Sequence, residues 1–343
     1  MAANFNSDNE RASLFDSIPL IMFAAAAILA GFVGLIWSAD RFVAGAAAFA
    51  LNFGLTPMLI GLTIVSFGTS APEILVSLSA SLDGSGDIAI GNAIGSNIAN
   101  IGLVLAVTAL IARIPVQKHI LKDELPVLLI ITAMAGWFLR DAELDRSEGW
   151  ILLLSLLPAM AYMIWTKQRD LGDSEKAREE EGVEAMSTIA ASLSFGGGLI
   201  LLIISAKTLV WGAQTTAEFF EVNPLIIGLT VLAIGTSLPE LAASAVSALR
   251  GHHDIALGNI IGSNIFNLLA VMSIPGIIQP LAYDPEVFKR DYLAMAGLTL
   301  FLSVIIAFAF LSKNNKPGFG RIAGGLLLLS YGLYCYQLYQ DAV

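Results

Sequence analysis

The chain has 343 residues, 56% of them hydrophobic and 13% charged, with a mean hydropathy of +0.76 and a formal net charge of −10. Soluble globules normally carry about 25% charged residues. That shortfall excludes a soluble fold, the acidic balance argues against a nucleic-acid partner, and the single cysteine, Cys335, excludes an intrachain disulfide.

Residues 1–17 contain acids and no basic segment feeding a short apolar core, so they read as an extracytoplasmic tail and not as a cleavable signal. A membrane-crossing helix takes about 17 to 25 apolar residues. Such runs fall at 18–50, 57–82, 87–112, 124–140, 148–166, 189–220, 224–249, 255–280, 291–312 and 321–340, which predicts an all-α membrane protein of ten spans. The hydrophilic stretch "KQRDLGDSEKAREEEGVEAM" separates a first five-helix unit at 18–166 from a second at 188–343, and 167–187 reads as a cytoplasmic linker. One set of connections holds eleven Lys and Arg and the other five, which places both termini outside.

Shifted by 167 residues, the chain aligns with itself without a gap over 61–101 and 228–268, and 22 of 41 positions are identical. Five spans per copy is an odd number, so the second copy crosses in the opposite sense. Inverted repeats of this kind place a transported substrate near the bilayer midplane on interrupted helices.

The polar residues gather in the repeated blocks. In "GTSAPE" (68–73), Pro72 lacks an amide hydrogen, so the carbonyl of Gly68 loses its helical partner. An unpaired carbonyl in hydrocarbon is costly unless it faces a cavity or an ion. Thr69, Ser70 and Glu73 share one helical face beside it. Their mirror set in "GTSLPE" is Thr236, Ser237 and Glu240, with Pro239 as the breaker. The next span of each copy carries "GNAIGSN" or "GNIIGSN", supplying Asn92, Ser96 and Asn100, then Asn259, Ser263 and Asn267. Asn92, Asn259, Ser77 and Ser244 read as helix-to-helix contacts, and Gly91, Gly95, Gly258 and Gly262 as points of close helix approach.

Hydroxyls, amides, freed carbonyls and two carboxylates are hard oxygen donors. They suit Na⁺ and Ca²⁺, whereas no Cys or His belongs to either motif to favour zinc or copper. Two glutamates balance one Ca²⁺ and resist burial when bare, which is what coupled exchange requires. Transported ions, not cofactors, are therefore expected.

"GTSAPE…GNAIGSNIAN" and "GTSLPE…GNIIGSNIFN" resemble the two alpha-repeats of the Ca²⁺/cation antiporter superfamily, nearest to prokaryotic Na⁺/Ca²⁺ exchangers. The resemblance implies four ion sites formed by spans 2, 3, 7 and 8, Na⁺/Ca²⁺ exchange at about three to one while spans 1 and 6 slide, and a unit functional as a monomer in a prokaryotic inner membrane. By position it implies side-chain ligands Thr69, Ser70, Glu73, Ser96, Asn100, Thr236, Ser237, Glu240, Ser263 and Asn267, with backbone carbonyls at Ser66 and Ala233. Asn267 stands where the K⁺-dependent branch has aspartate, which argues against K⁺ cotransport. The linker is too short for the Ca²⁺-sensing domains of animal exchangers.

Ca²⁺/H⁺ exchange on the same fold is the rival reading, since proton coupling needs mainly the glutamates. A passive channel fits less well, because the ligands cluster at one depth. "GSGD" at 84–87 matches the GxGD of intramembrane aspartyl proteases, but no second facing aspartate accompanies it, and Asp87 and Asp254 read as N-caps. No enzyme activity is expected. Asp40 and Lys207 fall at equivalent repeat positions and read as snorkelling charges; His252 and His253 read as solvated in a short turn.

Overall fold

A computed structural model describes residues 4–169, 186–220, 233–311 and 318–342. Most of the expected linker (170–185) and the first third of the expected seventh span (224–232) lie outside the described residues. Helix α1 (Asn4–Asn52) begins within the segment read as a tail. It is followed by α2 (Pro57–Thr69) and α3 (Ala71–Leu82), then α4 (Gly86–Ile111), α5 (Leu125–Leu139) and α6 (Arg146–Arg169). The second part holds α7 (Thr188–Phe219), α8 (Ala233–Thr236), α9 (Leu238–Leu249), α10 (His253–Ile278), α11 (Val287–Leu311) and α12 (Arg321–Ala342).

Six described helices are long and apolar enough to cross a membrane, seven if the bent pair α2 and α3 counts as one span. Burial sorts them into layers. The apolar windows of α4 and α10 are 72% and 94% buried, whereas those of α1, α6 and α7 are 22% buried, so α4 and α10 form the centre and the others face outward. Outward positions such as Leu29, Leu193, Phe308 and Ile322 are exposed and apolar, as a lipid-facing surface requires.

Helical irregularities recur in both parts. π turns open at Asn100 and Asn267 in the central helices, and at Ile120 and Val287 ahead of α5 and within α11. Two short antiparallel ladders tie loops of one part to loops of the other: β1 (Ile114–Pro115) pairs with β4 (Gly318–Phe319), and β2 (Glu143–Leu144) with β3 (Leu281–Ala282). The ladders hold the ends of α4, α5, α10 and α11 in register.

Several sequence expectations change in three dimensions. Lys167, read as the start of a solvated linker, is buried within α6 and ion-paired with the fully buried Glu124 carboxylate, which His119 Nδ1 also approaches at 3.2 Å. The repeat-equivalent positions hold a related brace, in which Tyr334 Oη donates to Asp291 Oδ1 at 2.9 Å. His252, read as solvated, is buried. Asp87 and Asp254 are not N-caps, because the helices begin earlier, at Gly86 and His253. Asp254 instead accepts from Gln117 Nε2 at 2.8 and 3.0 Å. Asp40 does not snorkel freely but pairs with Arg250.

The buried Glu124–Lys167 pair supports a stability prediction. Removing only the cation strands a buried carboxylate, at a cost of about 3–5 kcal/mol. Lys167→Met should therefore lower the melting temperature of the detergent-solubilised protein by roughly 5 °C or more, and Glu124→Gln/Lys167→Met should recover most of the loss. A single variant that melts with the parent protein would show the pair to be dispensable.

Candidate ion-binding centre

The first interruption is local in origin. Pro72 cannot donate to the preceding turn, so α2 ends at Thr69, Ser70 adopts φ −81° and ψ 4°, and a new helix starts at Ala71, bent by 42° from the first. The second interruption repeats it: α8 ends at Thr236, Ser237 has φ −87° and ψ 3°, and α9 starts at Leu238 with Pro239 in its first turn. Each break sets a glutamate in the first turn of the new half-helix, Glu73 in α3 and Glu240 in α9, where the positive end of the backbone dipole favours a carboxylate. The last turns of α2 and α8 present carbonyls to the same breaks, a partial negative charge suited to a cation.

Tertiary packing brings the two breaks against the central helices. Ser66, Thr69, Ser70, Glu73, Ser96, Asn100, Ser237, Glu240, Ser263 and Asn267 are all buried. Thr236 is partly buried, and Ala233 opens α8. Contacts cross from one part to the other: Ser70 Oγ donates to Glu240 Oε1 at 3.2 Å, Thr69 Oγ1 donates to Asn259 Oδ1 at 3.0 Å, and Thr69 Oγ1 lies 3.5 Å from Ser263 Oγ. Ser96 lies beside the Glu73 carboxylate, and Glu240 is within electrostatic reach of Glu73.

The contacts are not fully symmetric. Ser237, the counterpart of Ser70, has a buried Oγ with no hydrogen-bond partner among the described residues. The Ser66 carbonyl accepts from the Ser70 amide at 3.0 Å and the Thr69 hydroxyl at 3.3 Å, so it is already engaged in this conformation. By contrast Glu73 Oε2, Glu240 Oε2 and both amide atoms of Asn100 and Asn267 are buried with no such partner among the described residues. Buried polar atoms are normally hydrogen-bonded. Here the orphaned ones include four of the residues that the motifs single out, beside others such as Asn97, Ser247 and Asn264.

Asn92 and Asn259 act as clamps, as their reading as helix contacts anticipates. Asn92 Nδ2 donates to Glu73 O and to Ser77 Oγ, each at 3.1 Å; Asn259 Nδ2 donates to Ser244 Oγ at 2.9 Å and to Glu240 O at 3.4 Å. They pin each glutamate's backbone to the neighbouring central helix. Gly258 and Gly262 allow α10 to cross α2 at backbone contact, since a Cβ on Gly258 would meet Met58 O at 2.8 Å and Leu62 N at 2.9 Å. For Gly91 and Gly95 no described atom lies within 4 Å of an added Cβ. The segment equivalent to α2 on that side falls at 224–236, of which 224–232 lie outside the described residues.

One pair escaped the sequence reading. Asn97 and Asn264, each next to a motif serine, are buried where α4 meets α10, and Asn97 Nδ2 donates to Asn264 O at 3.3 Å. Their repetition in "GSN" was the available signal. They lie about 100° around the helix from Ser96 and Ser263, so their role is central-helix pairing.

Among the described residues no group of three or more His, Cys, Asp or Glu could hold a metal. The centre offers two carboxylates in a shell of neutral oxygens, a charge that matches one divalent or two monovalent hard cations.

Comparison with known proteins agrees with this chemistry. The family described as "Sodium/calcium exchanger protein" matches residues 23–165 and 190–340. The putative antiporter CaxA of Alkalimonas amylolytica is 43% identical over 324 residues, covering 94% of this chain and all of its own length. Sodium/calcium exchanger MaX1 of Methanosarcina acetivorans is 27% identical over 347 residues, covering 91% of this chain and 97% of its own. A solved structure of the sodium-calcium exchanger NCX_Mj, soaked with zero Na⁺ and Ca²⁺, aligns with a TM-score of 0.78 at 28% identity, over 93% of this chain and 99% of that one. With both broken-helix motifs inside the matched segments and the fold shared along nearly the whole length, the chain belongs to the sodium/calcium exchanger family of membrane transporters.

Proposed function

We propose that the protein is a secondary active antiporter that exchanges Na⁺ for Ca²⁺ by alternating access, at about three to one. In this reading ten spans form two inverted five-helix repeats in a prokaryotic inner membrane, with both termini outside. Glu73 and Glu240 carry the charge that compensates the cation. Thr69, Ser70, Ser96, Asn100, Thr236, Ser237, Ser263 and Asn267 replace its water, helped by the carbonyls of Ser66 and Ala233.

The observation that carries this reading is the set of buried, orphaned oxygens on Glu73 and Glu240 at the broken helices and on Asn100 and Asn267 in the central helices. A buried carboxylate without a counter-charge is strongly disfavoured, so a cation completes the site. The hydroxyl and amide shell is what Na⁺ coupling uses and proton coupling does not need.

Purified protein in liposomes tests the coupling. An outward Na⁺ gradient should drive ⁴⁵Ca²⁺ uptake at least tenfold above the rate without Na⁺, while a pH gradient alone should leave it at background. Uptake driven by the pH gradient in Na⁺-free buffer would assign Ca²⁺/H⁺ exchange, and uptake needing neither gradient would assign a channel.

A further inference from the structure

The Asp40–Arg250 pair lies outside the ion centre. Asp40 sits in α1 and Arg250 follows the last turn of α9; Arg250 Nη2 and Nε lie 2.5 and 2.7 Å from Asp40 Oδ1. The contact joins residues 210 apart in sequence and holds α1 against α9 at the end of α9 away from Glu240. Both side chains are partly exposed, at 42% for Asp40 and 32% for Arg250, so the pair can open into water without stranding a buried charge.

The interval that superposes the two motif blocks carries Asp40 onto Lys207 in α7, and carries Asp83, which follows α3, onto Arg250. The same pair of places is therefore charged again with the signs exchanged. Composition does not lead one to expect this in a chain with 13% charged residues. In the present conformation the second pair is apart. Lys207 and Asp83 are exposed, no ion pair among the described residues includes either, and α7 makes no contact with α3 comparable to that of α1 with α9.

We propose that Asp40–Arg250 and Lys207–Asp83 are the two alternate latches of the transport cycle, one closed in each state. The proposal rests on the inverted-repeat reading of the preceding section. In such a protein a contact that shuts one face in one state has its mirror image shutting the opposite face in the other. Here Asp40–Arg250 shuts the face with the excess of Lys and Arg, the cytoplasmic one. When α1 and α7 move together against the core, that latch opens and Lys207 reaches Asp83.

The test uses the full chain in liposomes on a Cys335→Ser background, with a short bifunctional thiol reagent. The Asp40→Cys/Arg250→Cys pair and the Asp83→Cys/Lys207→Cys pair should both cross-link, each arresting transport. Adding Asp40→Asn should raise the cross-linking rate of the Asp83→Cys/Lys207→Cys pair roughly fivefold, the effect of losing one partly exposed ion pair. Lys207→Gln should do the same for the Asp40→Cys/Arg250→Cys pair. The exchanged variant Lys207→Asp/Asp83→Lys should restore the parental balance that Lys207→Gln disturbs. The proposal is overturned if the Asp83→Cys/Lys207→Cys pair never cross-links while the other does, or if Lys207→Gln moves nothing. Cross-linking is read without ion flux, so a failure of Na⁺-driven uptake alone would count against the coupling and not against the latches.

Discussion

Glu73→Gln and Glu240→Gln should each abolish Na⁺-driven Ca²⁺ uptake in protein that still folds. Glutamine keeps the size of the side chain and one acceptor oxygen, so packing around α3 and α9 survives. What is lost is one of the two negative charges at the site. Both glutamates are buried, so water does not make up the loss, and removing one partner of a buried charge pair weakens binding by about 2–5 kcal/mol or more. That corresponds to at least about thirtyfold in Ca²⁺ affinity, enough to bring ⁴⁵Ca²⁺ flux to background. The two variants should be equally inactive, because each glutamate occupies the same place in its own broken helix. Thermal melting in detergent, run beside the flux assay, separates loss of function from loss of fold. Parental uptake in either folded variant would remove that glutamate from the site.

Gly258→Val should have the second largest effect, through geometry. A Cβ at this position would lie 2.8 Å from Met58 O, 2.9 Å from Leu62 N and 3.0 Å from Gly61 Cα. All three are backbone atoms of α2, so no rotamer change relieves the overlap and the helices must part. Overpacking of this kind costs typically about 1–3 kcal/mol. The separation also acts on the site, because the same crossing seats Thr69 against Asn259 and Ser263. Uptake should fall at least roughly tenfold, since displacing a ligand by about 1 Å is enough to spoil such a site. The melting temperature should drop as well. Gly325→Val is the control: no described atom lies within 4 Å of its added Cβ, so it should keep both activity and stability. If Gly258→Val transports like the control, α10 and α2 are not held at backbone distance during function.

Legibility followed the range of the interactions. Glu73 and Glu240 stood out because proline, serine, threonine and glutamate fall within one helical turn, and the break at Ser70 or Ser237 is decided by a missing amide a few atoms away. The duplicated "GNxIGSN" runs were readable for the same reason. The burial of Lys167 was not, since its helix boundary depends on Glu124, 43 positions earlier, reaching it from another helix. Asp254 looked like a cap by its neighbours alone, yet Gln117 claims its carboxylate across 137 residues.

By itself, then, the amino-acid order determined the solvent, the repeat, the places where helices break and the oxygen-donor chemistry gathered beside the breaks, because these depend on composition and on contacts within a turn or two. Only the tertiary structure decided that Ser70 serves Glu240 instead of its own neighbour Glu73, that Asn97 meets Asn264, and that Asp40 is latched to Arg250 while Lys207 and Asp83 stand apart. Those outcomes depend on which helices cross and in which conformation the two parts rest. That choice belongs to the packing of the whole chain, and no local rule contains it.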